Sequence, residues 1–205
     1  MTGALAGLTT TTFLAFCGAA VALILTPGPD TMYVLARGMQ GRGAGVRSAL
    51  GISTGVLVHT AAAALGLAAL LRAAPTAYRL VKYAGAVYLV YLGVSAVRDD
   101  EFDPAIETDA EASFRRGVLV NALNPKVALF FLAFLPGFAG SGSGADARML
   151  LLGATYAALT ALYLTVVAVA SGRVGRILSS SRFSSGLSWL GGSVMVALGV
   201  GVAID

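Results

Sequence analysis

Two proline-broken segments limit what this chain can become. Leu25-Thr26-Pro27-Gly28-Pro29-Asp30 ends one apolar, membrane-length run, and Leu123-Asn124-Pro125-Lys126 interrupts another 98 residues later. In each, proline withdraws a backbone donor and clashes with the preceding turn, so a helix must stop or kink there. An ionisable residue follows each break at once. Hydrocarbon penalises an unpaired carbonyl and a buried ion by several kcal/mol, roughly 2.5–3.5 for the ion on insertion scales. A break of this kind, made once in each half, is a feature the chain is expected to use.

The solvent for these runs is lipid. Hydrophobic residues make up 57% of the chain and charged ones 12%, against about 25% charged in a soluble domain. The net charge of +4 comes from arginines scattered between apolar runs. A nucleic-acid-binding protein would gather them on one face, and none is expected as a partner; cytoplasmic loops beside an anionic leaflet explain them better. One cysteine, Cys17, excludes an internal disulfide and reads as a packing residue. One histidine leaves no His/Cys metal set, so neither a metal nor a cofactor is expected. No Lys or Arg precedes Arg37, so the first apolar run is expected to be a retained helix and not a cleaved leader.

Residues 5–26 carry no charge and are about long enough to cross a bilayer core. Helix-like spacing resumes over 31–39 through Met32, Leu35 and Met39, as a half-helix or re-entrant extension. A Gly- and Arg-rich loop is predicted over 37–47 and a second span over 48–71. There Gly51, Gly55 and His59 share one stripe, and the two glycines would let a neighbouring backbone approach closely. A third span is predicted over 76–97, with Tyr88, Tyr91 and Ser95 on one face. Residues 98–116 hold seven acids and read as a solvated loop. The fourth span, 117–138, contains the second break; 140–144 reads as a flexible connection. The fifth span, 149–172, places Tyr156, Thr160 and Tyr163 on one side. A basic, serine-rich loop over 173–185 and a sixth span over 183–204 complete the chain.

Six spans divide into three and three, and an odd number per half forces two similar halves into opposite orientations. The expected fold is therefore an all-α membrane protein of two inverted three-helix repeats, 5–97 and 117–204, in a single domain. Paired broken helices in inverted repeats are a sequence pointer to a transporter's central site. The loops after spans one, three and five hold nine Lys and Arg (Arg37, Arg42, Arg47, Arg98, Arg115, Arg116, Arg173, Arg176, Arg182). The opposite side holds four (Arg72, Arg79, Lys82, Arg148). This bias places both termini outside.

A helix broken within the membrane frees N–H groups on one half and carbonyls on the other; the first attract a carboxylate, the second an ammonium. Two facing breaks therefore suit a zwitterion. The candidate site comprises Thr26, Pro27, Gly28, Pro29, Asp30, His59, Asn124, Pro125 and Lys126. In the functional reading Asp30 takes a substrate ammonium or a coupling proton and Lys126 a carboxylate. The competing reading is a structural ion pair, or two side chains reaching opposite interfaces. His59 carries an imidazole, a side chain type suited to relaying protons, although helix packing accounts for a lone polar residue more simply. The tyrosines of spans three and five fit a cavity wall, an interface belt or helix packing alike.

At these residues the chain resembles the LysE/RhtB family of bacterial amino-acid exporters. The resemblance rests on Thr26-Pro27-Gly28-Pro29-Asp30 with Leu35-Ala36-Arg37, on Gly41-Arg42 through Gly55, and on Gly85-Ala86-Val87-Tyr88-Leu89 with Gly93. In the second half it rests on Phe114, Gly117 and Asn121 through Asn124-Pro125-Lys126 to Phe130-Phe131 and Pro136. It implies export of amino acids or close derivatives across the inner membrane, driven by the proton gradient, and it allows a homodimer. The resemblance implies Asn at the position of Asp30 in many relatives, with Asp also fitting the pattern, so the acid would tune substrate or coupling in this chain. A passive channel, an exporter of another small solute or a metal cation, and a membrane-embedded enzyme are the rivals. Few intramembrane acids argue against the cation exporter, and the lack of a nucleophile–base pair argues against the enzyme.

Overall fold

The computed structural model describes residues 7–67 and 113–178, together with isolated helical positions between 76 and 94 and between 193 and 200. The expected third and sixth spans and the acidic stretch 98–112 otherwise lie outside the described residues. The described chain is helical, with no strand: α1 (Thr10–Leu25), α2 (Pro29–Gln40), α3 (Arg42–Ala62, running into a π-turn at Ala63–Leu67), α4 (Ser113–Ala122), α5 (Pro125–Ala133), α6 (Leu135–Ala139) and α7 (Ala145–Leu178).

Stretches of α3 and α7 are long and apolar enough to cross a membrane, at Arg42–Leu65 and Ala145–Ser171. The pair α1 and α2 bends by 54°, and α4 bends against α5–α6 by 52°; each pair has the length and composition of one broken span. Both bends fall at the proline breaks.

Local chemistry sets each bend. The Thr9 side chain caps α1 by accepting from the Thr12 N–H. At the other end Thr26 turns both its N–H and its hydroxyl onto the Ala22 carbonyl, at 3.2 and 2.8 Å, closing the helix before Pro27. Pro29 then opens α2 at its first position, where a missing N–H costs nothing. The second break repeats the device: Asn124 Oδ1 accepts from the Lys126 N–H at 3.0 Å and Pro125 is the first residue of α5.

Three predicted loops are corrected. Residues 37–47 are not a loop: α2 runs to Gln40, α3 begins at Arg42, and Gly41 alone joins them. The charge that argued for a loop, Arg37, is buried and donates to Gln40 Oε1 and Ser113 Oγ. Residues 113–116 belong to α4 and 173–178 to α7. Arginine is a good helix former, so charge marks the edge of the apolar run without ending the helix. The connection 140–144, predicted to be flexible, is pinned. Its glycines 140, 142 and 144 take left-handed φ, and the buried Arg148 guanidinium donates to the carbonyls of Ala139, Ser141 and Ser143.

Inside a bilayer, helix association rests on close packing, because lipid tails are as apolar as leucine. The glycine stripe of α3 supplies the closest approach. A Cβ on Gly51 would overlap the Phe114 carbonyl oxygen, one on Gly55 would press on Asn121, and one on Gly117 of α4 would strike the Ser48 carbonyl. The stripe thus docks α3 of the first half onto α4 of the second. Two cores flank this crossing. One joins Phe16 and Leu23 of α1 to Phe130 and Phe131 of α5 and Leu152 and Tyr156 of α7. The other joins Val34 and Leu35 of α2 to Ile52 of α3 and Leu164 and Val167 of α7. The outer surface, with Leu14, Val58, Leu65, Leu162 and Val166 exposed, is apolar as a lipid-facing surface must be.

Candidate functional site

Each break reaches across to the other half. Lys126, in the first turn of α5, extends its ammonium to the end of α1 and donates to the carbonyls of Leu23 (3.2 Å) and Thr26 (3.1 Å). Those carbonyls lie where the α1 ladder runs out, and the negative end of the helix dipole favours a cation there. Asp30, in the first turn of α2, sits at a dipole's positive end and accepts from Asn121 Nδ2 of α4 at 2.8 Å. The charge after one break thus holds the helix end before the other, in both directions.

A cavity of ≈ 10 Å³, room for roughly one water, lies between the breaks. Leu23 and Ile24 of α1, Asp30 and Thr31 of α2, Lys126 and Val127 of α5, and Tyr156, Thr160 and Leu164 of α7 line it. The last three are four residues apart and so form one face of α7. Leu23 and Tyr156 belong to the first core and Leu164 to the second, which puts the cavity at their junction.

The wall carries unused hydrogen-bonding capacity. Asp30 Oδ1 and Thr160 Oγ1 are buried without a protein partner. Lys126 has three donors, of which the two carbonyls use two. Two residues that line this small space thus keep an open carboxylate oxygen and an open ammonium donor, flanked by apolar side chains. The direct contacts of Asp30 and Lys126 go to Asn121 and to the α1 carbonyls, so the two charges share the cavity through its interior.

The remaining expected residues fall into three groups. Thr26 is buried and contributes its carbonyl, since its hydroxyl is spent on Ala22. Gly28 lets Lys126 pass: a Cβ there would lie 3.0 Å from the ammonium nitrogen. Pro27 lies in the bend between these two, while Pro29 and Pro125 are exposed helix openers that shape the breaks without facing the cavity. Asn124 caps α5 with its oxygen and keeps a buried, unpartnered Nδ2. His59 is off the cavity wall; its Nε2 meets the Asn121 backbone carbonyl at 2.9 Å and its ring lies near Phe131. On the tyrosine faces, Tyr156 lines the cavity, whereas Tyr91 is exposed; Tyr88 and Ser95 lie outside the described residues.

Asn121 is among the residues that carry the resemblance but not among the expected site residues, although it bonds Asp30 with its side chain and His59 with its backbone. The available signal was its position one turn before Asn124, on the same helical face as the break. Thr31 is also on the wall, at a position indistinguishable in sequence from any first-turn threonine.

Comparison with known proteins decides the family. The sequence pattern described as LysE type translocator matches residues 21–205. The chain belongs to the LysE family. An uncharacterized membrane protein of Pseudomonas aeruginosa is 32% identical over 94% of this chain and 95% of its own length. One from Vibrio cholerae is 29% identical over 92% and 94%. A leucine efflux protein of an Enterobacter species is 28% identical over 88% of both chains. No solved structure matches. As a LysE-type translocator the chain is a membrane transport protein.

Proposed function

We propose that this LysE-family protein exports an amino acid or close derivative across the bacterial inner membrane, coupled to the proton gradient, with the substrate's zwitterionic head between the two breaks. The observation that carries this reading is the cavity itself. One wall offers the open Oδ1 of Asp30 to an ammonium, and another offers the remaining Lys126 donor to a carboxylate. Uncharged solutes would leave both unmatched, and a metal cation would be repelled by Lys126. The likeness to leucine efflux proteins supports an amino-acid head with a side chain resting on Leu23, Ile24, Val127 and Leu164.

A cavity of ≈ 10 Å³ admits no amino acid, so transport requires the breaks to separate. Their reciprocal grip, Lys126 on α1 and Asp30 on α4, is the contact a substrate replaces as its ammonium takes Asp30 and its carboxylate takes Lys126. Inverted repeats with both termini periplasmic would let the same motion open the site to either side in turn.

The test is uptake of labelled amino acids into energised inside-out vesicles. The reading expects accumulation above the outside concentration, collapsing with a protonophore. Equilibration without accumulation would mean a passive pore. Protection from no member of a panel of amino acids and analogues, in a sensitive strain making folded protein, would refute amino-acid export.

A further inference from the structure

Thr160 breaks a rule that its neighbours keep. A hydroxyl in a helix usually satisfies itself on the carbonyl four residues back. Thr26, Ser53, Thr54, Thr60 and Thr155 all do so, at 2.8–2.9 Å. Thr160 is 4% exposed, yet its Oγ1 has no protein partner and its side chain lines the cavity. Ser48 also keeps an unpartnered hydroxyl, but at the α3–α4 crossing and away from the cavity wall.

Its place on the cavity wall gives the hydroxyl a use. The two charged groups that would hold a zwitterion stand on α2 and α5, so the walls left for a substrate's side chain are mainly those of α1 and α7. There Thr160 sits between Tyr156 and Leu164 on the lining face. An apolar pocket cannot strongly reject an isostere that adds a hydroxyl, but a buried polar group that must be paired discriminates against a substrate lacking one. A valine here would have completed an aliphatic wall.

We propose that Thr160 is a specificity-determining residue, whose hydroxyl pairs with a hydroxyl on the substrate's side chain and favours a short hydroxylated amino acid over its aliphatic isostere. The inference rests on the amino-acid reading above and adds a choice among amino acids. In the contracted cavity one water has room at this position, and a substrate hydroxyl reproduces its bond where a methyl group cannot.

The test is a competition between threonine and valine, which differ by hydroxyl against methyl, in vesicles holding the full chain. Wild type is expected to favour threonine by about tenfold, as one buried hydrogen bond of ordinary strength implies. Thr160→Val should abolish or reverse that ratio while still transporting valine, and Thr160→Ser should keep it. Asp30→Asn should lower uptake of both substrates by about 10- to 100-fold in any background. An unchanged ratio in Thr160→Val, or a wild type that moves other amino acids without preferring threonine, overturns the inference. Should Thr160→Val not fold by gel filtration in detergent, Thr160→Ala and Thr160→Ser decide by the same ratio. Transport of no amino acid at all would instead strike down the proposed function.

Discussion

Replacing Lys126 by methionine, alone and with Asp30→Asn, separates a working site from a structural pair of charges. The single change removes the donors to the carbonyls of Leu23 and Thr26. Hydrogen bonds to a charged group contribute roughly 1.5–3 kcal/mol each. It also leaves Asp30 part-buried without the cation across its cavity, and breaking a fully buried pair costs roughly 3–5 kcal/mol. Both side chains are only part-buried, so these figures overlap and need discounting; a net loss of about 3 kcal/mol is expected. Adding Asp30→Asn removes the stranded charge, keeps a hydrogen-bonding partner for Asn121 and restores much of that stability. Transport should not return, because the double variant still lacks both partners of a zwitterionic head. Losing one charge-assisted contact to substrate, at roughly 1.5–3 kcal/mol, predicts a fall of about 10- to 100-fold. Thermal denaturation in detergent reads the first quantity and vesicle uptake the second. A double variant regaining both stability and transport would refute a substrate role for these charges.

Two glycines give further tests. Gly51→Ala places a methyl group onto the Phe114 backbone, where no side chain can swing aside; overpacking should cost about 3 kcal/mol. Gly18→Ala, on an open helical surface, should be neutral or stabilising by roughly 0.5–1 kcal/mol; comparing the melting temperatures checks both. Gly28→Ala presses on the far end of Lys126 and touches the Thr26 carbonyl at ordinary contact distance. It should lower uptake severalfold and lower the melting temperature by less than Lys126→Met does, because the ammonium is shifted on the α1 carbonyls and not removed.

The breaks were legible because their causes are local. A proline with a capping residue before it sets a helix start whatever surrounds it, and Asn124-Pro125 and Gly28-Pro29 are such starts. The Gly51 and Gly55 stripe announced a close approach, though not that α4 would supply the partner. Helix ends near charges were misread because the outcome depends on distant groups: Arg37 stays helical and buried since Ser113, 76 residues away, receives its guanidinium. Thr160 shows the limit most clearly. Its sequence context resembles that of Thr155, yet one hydroxyl bonds its own helix and the other does not, and the space around α7 decides which.

The central claim is that both charges of one amino acid are held between the two breaks, and a head-group competition measures it most directly. Uptake of the best labelled substrate would be challenged with an excess of unlabelled substrate, its N-acetyl derivative and its methyl ester. The parent compound should block uptake, while the derivatives, each missing one charge, should compete at least tenfold less well. Equal competition by either derivative would mean that the charge it lacks is not recognised, and the site between Asp30 and Lys126 would not be as described.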